Sequence, residues 1–366
     1  MGVATFSRLL REHGSARAAL RALPAMARAA GVQDYAPCPE GVALAEYRAG
    51  LAQGARLILR DEPAYPALLA DLPDAPPLLW CLGDVALLSR PTVALVGARN
   101  ASSLGLRMAR SLSEELGKAG FVVASGLARG IDAAAHAAAL PTGTVAVMAG
   151  GVNHVYPPEN AGLAADIAAR GLRISEHPIG LEPQARHFPA RNRIVSGLSL
   201  GVVVVEAAER SGTLITARTA ADQGREVLAV PGHPLDPRAA GCNLLLRDGA
   251  TLVRSAEDVL EALAPALARW REEQATRPPA DAPQPQPPAR PEAREPRRAA
   301  PPAKARPAPA DLRAHILDRL GPSPVAEDQL IRDLGLATAI IAPVLTDLEL
   351  EGLVLRQPGG ILSRAA

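Results

Sequence analysis

Four arginines in this chain follow short strand-like runs, and their positions suggest a chemistry. Arg99 lies in VALVGARNASSLG (93–105), which reads as a buried strand, a tight turn at Gly97 and the start of a helix. Arg129 lies in SGLARGID (125–132), and Arg191 and Arg193 flank Asn192 in HFPARNR (187–193), beside Phe188. Each is near a predicted helix amino end, which already carries partial positive charge. Arginine is unfavourable there unless an anion is the partner, and helix amino ends with forked guanidinium groups suit phosphate. A dinucleotide-binding turn would use Gly-x-Gly-x-x-Gly to let pyrophosphate touch the backbone. Here Arg99 and Asn100 stand where glycines would. The implied chemistry is phosphate binding by side chains from several loops rather than by close backbone approach at one.

Each of these residues also has a plainer reading. Arg129 is placed to pair with Asp132. Ser211-Gly212-Thr213, ahead of LITARTAADQG, reads equally as a helix cap or as a phosphate donor. His136 and His154 read as structural, because neither has a second ligand at metal-site spacing. Cys38, Cys81 and Cys242 are scattered and odd in number, so the sequence implies no disulfide framework, metal centre or cofactor. That cysteine usage fits a reducing cytoplasm. The start of the chain has no signal-peptide pattern, and no apolar run approaches the ~20 residues of a membrane span.

The elements that must position these loops are legible as a pattern. Six apolar runs, VALV (93–96), FVVAS (121–125), TVAVMA (144–149), LRISE (172–176), GVVVVE (201–206) and EVLAV (226–230), alternate with amphipathic stretches. The alternation predicts an α/β fold: a Rossmann-like, doubly wound, mostly parallel sheet. Ligands bind at the carboxyl ends of such strands, where all the loops named above must open. Residues 1–75 read as a small helical domain and LLWCLGD (78–84) as an approach strand. The main domain then spans 76–270. Residues 271–310 are Pro/Ala/Arg-rich and read as a disordered linker. In 311–366, DLRAHILDRL, EDQLIRDLG and ATAIIAPVLTDLELEG predict three helices, and LVLRQPGGILSR a hairpin with PGG at its tip; together they suggest a winged helix.

Composition narrows the partner. The net charge over 366 residues is only +1, so a nucleic-acid site must be a local cluster. Lys118 and Lys304 are the only lysines, and arginine is the better residue for forked phosphate contacts. Three Phe, four Tyr and two Trp leave one or two rings at most for base stacking.

The segments VGARNASSLG, SGLARGIDAAAHAAAL, GTVAVMAGGVNHVYPPEN, SEHPIG, HFPARNRIVSGLS, EAAERSGTLITARTAADQGREVLAVPG and GCNLLLRDGA resemble, in order, the DprA/Smf family of DNA-processing proteins. The winged-helix tail is similar to a domain that some members carry. The resemblance implies a non-catalytic protein that binds single-stranded DNA and dimerises through its Rossmann-like domain. It further implies loading of the recombinase RecA during natural transformation. Carried over by position, it implies that Gly97 and Arg99 form the first turn, that Phe188 meets a base, and that Arg191 and Arg193 contact DNA with Asn192 between them. Arg129 and Ser211-Gly212-Thr213 complete the expected site. Many members have a basic residue three positions before the phenylalanine. Here that position is Ala185, and Arg186 takes the contact or the site is weaker.

Three other classes compete. Phosphoribohydrolases of the lysine-decarboxylase-like group resemble the chain around Ser211-Gly212-Thr213, but their catalytic glutamate position is Thr216. A winged-helix transcription regulator would put basic or amide side chains on its recognition helix. Residues 337–352 instead hold Asp347, Glu349 and Glu351. A dehydrogenase lacks both its glycine pattern and an acidic residue ending the second strand.

Overall fold

The structure is a computed structural model that describes residues 2–276, 309–320, 324–357 and 361–364. Three helices come first: α1 (Val3–His13), α2 (Ala16–Ala29) and α3 (Glu40–Ala52). Then β1 (Arg56–Leu59), α4 (Ala67–Ala70) and β2 (Leu78–Gly83) lead into the alternating region. That region runs β3 (Thr92–Val96), α5 (Ser103–Lys118), β4 (Val122–Ser125), α6 (Ile131–Ala139), β5 (Thr144–Val147), α7 (Ala161–Arg170) and β6 (Leu172–Ser175). It continues with α8 (His187–Gly197), β7 (Gly201–Val204), α9 (Gly212–Asp222), β8 (Glu226–Ala229), α10 (Ala240–Arg247), β9 (Thr251–Leu252) and α11 (Ala256–Thr276).

All six apolar runs are strands of one nine-stranded sheet, in the order β1-β2-β6-β5-β4-β3-β7-β8-β9. From β6 to β9 the pairing is parallel. The strands read as unbroken apolar runs because helices cover both faces; β3, β4, β5 and β7 are buried at every residue. On one face, α5 lays Leu106, Ala109, Leu112 and Leu116 against Val93, Leu95 and Val123. Its start is fixed by the Ser102 hydroxyl, which accepts from the Gly105 N–H at 3.0 Å. On the other face, Ile194, Leu198 and Leu214 pack against Val96, Val202 and Val204.

Two boundaries differ from the sequence reading. The helical unit ends at Ala52, not near 75, because β1 pairs antiparallel with β2 and β2 antiparallel with β6. Tyr65, Leu69 and Leu72 lie in the main core. The approach strand is therefore an antiparallel extension of the sheet. The expected linker starts later than 271, since α11 continues to Thr276 with Trp270 packed on the core. Residues 277–308, and the PGG tip at 358–360, lie outside the described residues.

The tail holds α12 (Pro309–Arg319), β10 (Val325–Ala326), α13 (Glu327–Leu334), α14 (Thr338–Leu350), β11 (Val354–Gln357) and β12 (Ile361–Arg364), with strand order β10-β12-β11. Its own core contains Ile316, Leu330, Ile341, Leu345 and Leu362. This is the expected winged helix.

Candidate nucleic-acid interface

Strand order reverses at β3. The chain builds outward through β4, β5 and β6, then returns to place β7 on the other side of β3. Such a switch point opens a crevice beyond the strand ends. A cavity of about 850 Å³ lies there. Gly97 to Asn100 from the turn after β3 and Ser211 to Thr213 at the start of α9 line it, with Phe188, Arg191 and Asn192 from α8. The Thr213 hydroxyl donates to the Gly97 carbonyl at 3.2 Å and ties the two loops together. Gly97 has no room for a side chain, since a Cβ would lie 2.6 Å from Ile131. That contact lets α6 pack directly under the turn.

The exposed wall of the cavity is aromatic and cationic. The Arg99 guanidinium sits 5.7 Å from the centre of the Phe188 ring. Tyr156 meets the same ring edge-on, with centroids 5.5 Å apart. Phe188 is half-buried and Arg99 and Tyr156 are exposed, so cation and rings remain open to a ligand. Tyr156 was not among the expected site residues. Its signal was only a second aromatic in a loop at the same sheet edge, YPPEN after β5.

The expected arginines separate into three groups. Arg99 is presented to the cavity. Arg191 lines it but is buried to 5% exposure. Its Nη1 donates to the Gly126 carbonyl at 2.6 Å and to the Val147 carbonyl, and its Nε to Asn192 Oδ1 at 3.2 Å. Burial pushes its pKa down to about 10; the neighbouring Asp132 opposes this and Arg99 adds to it. Arg193 turns away from the cavity, with Nη2 2.5 Å from Glu176 and Nη1 donating to the Asp74 carbonyl at 2.7 Å. Arg129 pairs with Glu159 at 2.5 Å, not with Asp132, and both side chains are exposed. Arg186 is exposed outside the cavity lining, while Ala185 is part of that lining. Ser211 caps α9, accepting from the Thr213 N–H at 3.1 Å.

The loop after β4 is held from several sides. Asp132 accepts from the Gly126 and Ala128 N–H groups at 3.1 and 3.3 Å. Burial raises its pKa, and Arg191 opposes the shift. Leu127, fully buried, has φ of 56°, a strained left-handed conformation for a branched residue. Its carbonyl accepts from Asn160 Nδ2 at 2.9 Å and its N–H points to His136 Nε2 at 3.3 Å. Glu206 accepts from both the Ser102 N–H and its hydroxyl, at 2.9 and 2.5 Å. Asn160 and Glu206 thus hold loops.

His136 is structural, and it gives the fold an acid limit. It is fully buried, and burial, with Arg191 nearby, pushes its pKa from 6.5 to about 3. Below pH 6.5 the unfolded chain takes up a proton that the folded chain refuses until about pH 3. The stability contributed by neutral His136 is complete above pH 6.5 and falls as pH drops, by at most ~1.4 kcal/mol per unit. Asp132 acts with the opposite sign, because its raised pKa favours the folded state on protonation. We expect urea midpoints of the wild type to fall from pH 6.5 to 4.5 relative to those of His136→Gln. Parallel midpoints would remove His136 as the cause.

Among the described residues, no three His, Cys, Asp or Glu side chains group as a metal centre would need. No described helix is long and apolar enough to cross a membrane. The carboxylates lining the cavity are Asp132, committed to the loop after β4, Asp236, paired with Arg238 at 3.1 Å, and Asp318. Thr216 is buried, and Glu206 is spent on Ser102.

The fold and site together define a Rossmann-like protein with an arginine–aromatic cavity at its switch point and an appended winged helix. The profile of DNA recombination-mediator protein A matches residues 56–264, that of the DprA winged helix domain 300–360, and that of the DprA-like N-terminal HHH domain 1–49. The chain belongs to the DprA/Smf family of DNA-processing proteins. It is 45% identical over 223 residues to the DNA processing protein DprA of Bacillus subtilis, covering 60% of this chain and 74% of that one. The solved DprA of Streptococcus pneumoniae superposes with a TM-score of 0.56 at 35% identity, over 71% of this chain and 98% of that one. The Helicobacter pylori DprA, whose structure is described as giving insight into its single-stranded DNA binding mode, superposes at 0.53 with 30% identity, over 58% of this chain and 96% of that one.

Proposed function

We propose that the switch-point cavity binds single-stranded DNA without regard to sequence, and that the protein uses this grip to load RecA onto the strand in recombination and natural transformation. The carrying observation is the Arg99 guanidinium over the half-buried Phe188 ring at the cavity mouth. A ring can stack only on a base that is splayed out, which selects single strands over duplex. The guanidinium and the start of α9 offer charge and N–H donors to the adjoining phosphates. In this reading Gly97, Arg99, Phe188, Asn192, Gly212 and Thr213 meet the strand, while Arg191 and Ser211 fix the loops. Arg129 and Arg186 are exposed cations that can steer DNA from outside the cavity, and Arg193 braces α8.

One stacking ring per chain gives modest affinity. A homodimer with two cavities on one strand would bind far more tightly through effective concentration. The reading needs no cofactor and no catalytic step, and it places the protein in the cytoplasm with DNA and RecA. The phosphoribohydrolase reading lacks its glutamate, since that position is the buried Thr216, and of the cavity carboxylates Asp132 and Asp236 are committed while Asp318 belongs to the winged helix. The regulator reading fares no better, since α14 carries acids and no basic side chain.

Fluorescence anisotropy of labelled single-stranded and duplex oligonucleotides over a salt series tests the binding. Preference for the single strand with a steep loss of affinity as salt rises is expected. Equal binding to duplex would sink the reading. RecA filament formation on coated single strands then tests the loading step.

A further inference from the structure

The winged helix sits at the rim of the same cavity. Asp318, near the end of α12, and Arg364, at the end of β12, are part of its lining. The contact there is a clasp. Asp236 holds Arg238 from one side, Oδ1 accepting from Nε at 3.1 Å and Oδ2 from Nη2 at 3.3 Å, and the two terminal nitrogens of that guanidinium grip the carboxyl end of α12. Its Nη1 donates to the Asp318 carbonyl at 2.5 Å and its Nη2 to the Leu320 carbonyl at 3.2 Å. The last carbonyls of a helix lack intrahelical donors and carry partial negative charge. Two such oxygens across an arginine fork reproduce the pattern by which arginine binds two phosphate oxygens. A second tie joins Arg110 on α5 to Asp333 on α13 at 3.3 Å.

The remainder of this contact is unfinished. Arg319 Nε and Nη1 and Asp333 Oδ2 are shielded from solvent and have no hydrogen-bond partner among the described residues. Arg319 lies by a void of about 260 Å³ that Glu206, His233 and Val325 also line. A permanent interface would pair these groups or replace them with apolar ones. Polar ties, unpaired polar atoms and an unfilled gap describe a contact that can open at low cost.

We propose that Arg238 is a further phosphate site of the DNA cavity, covered in the docked state by the carboxyl end of α12, so that single-stranded DNA and the winged helix compete for it. The proposal rests on the single-stranded DNA reading above. Docked, α12 satisfies Arg238 and brings Asp318 to the path of the strand. Undocked, the same fork faces the phosphates beside those held by Arg99 and α9. The winged helix thereby sets a threshold for DNA engagement without reading DNA itself.

The test uses the full chain. Arg110 is on α5, outside the cavity lining, and 42% exposed at its side chain, so Arg110→Glu should fold normally and loosen the docked state. Loss of a partly exposed tie of this kind is expected to tighten single-stranded DNA binding about five-fold. Removing a positive charge would otherwise weaken DNA binding, so a gain has the opposite sign to the plain electrostatic effect. The charge swap Arg110→Glu with Asp333→Arg should return affinity to the wild-type level. Adding Arg238→Ala to Arg110→Glu should abolish the gain. Unchanged or weaker binding by Arg110→Glu overturns the proposal. If the wild type fails to bind single strands, or if Arg99→Ala binds as well as wild type, the underlying reading has failed instead.

Discussion

Replacing Phe188 with alanine is expected to weaken single-stranded DNA binding by about 5- to 150-fold, because each base stacked on an aromatic ring is worth ~1–3 kcal/mol. Duplex binding should hardly change, since a paired base cannot reach the ring. Arg99→Ala should cost roughly ten-fold or more, as a hydrogen bond to a charged group contributes ~1.5–3 kcal/mol. It should also reduce the slope of log affinity against log salt by ~0.7, the value for one phosphate contact on a single strand. The two effects should not add. Arg99 lies 5.7 Å from the ring it shares with the base, so removing either residue disturbs the other. The double variant should therefore lose less than the combined single losses. The measurement is anisotropy of one labelled oligonucleotide, as single strand and as duplex, against four proteins at three salt concentrations. Wild-type affinity in both single variants would move the DNA path off this edge of the sheet.

The sequence was most informative where burial repeats. Strands such as TVALV at 92–96 are apolar on both faces, and a parallel sheet is the structure that buries them. The loop ends followed from that sheet, which is why Gly97, Arg99, Phe188 and Thr213 could be gathered at one edge before their positions were known. β1 was missed because RLIL is four residues long and follows three helices without a periodic cue. Its partner β2 joins the sheet antiparallel, and alternation of strands and helices does not announce that. The roles of neighbouring arginines were also illegible. Arg191 and Arg193 are two residues apart on α8, so they point to nearly opposite sides of the helix. Helical spacing says they diverge but not which faces the strand ends. Burial decides it: one meets the Gly126 and Val147 carbonyls, the other Glu176. Arg238 was unreadable for a different reason. Its partners are the backbone carbonyls of Asp318 and Leu320, on an element whose docking no local pattern encodes.

Arg191→Ala should unfold at markedly lower urea concentration, with a loss of roughly 3 kcal/mol or more, since each buried acceptor left unpaired costs ~1–3 kcal/mol. The loss has three sources. The carbonyls of Gly126 and Val147 would be left buried without their guanidinium donor. Asp132, already pushed upward by burial, would lose the cation that opposes that shift. A gap would open beside Gly126, where the guanidinium now lies so close that a Cβ would be 2.4 Å from it. Arg191→Lys should recover little, since one ammonium cannot span both carbonyls and Asn192 as the planar fork does. DNA affinity should fall in both variants, but as a consequence of the loosened loop after β4. Excess oligonucleotide should then raise the urea midpoint of Arg191→Lys less than that of wild type at equal concentration, because the cost of re-forming the loop raises the dissociation constant and so reduces the stabilisation that binding supplies. If Arg191→Ala instead kept the wild-type midpoint while losing affinity, the buried guanidinium would be a direct phosphate ligand, and the division of labour between Arg99 and Arg191 would have to be reversed.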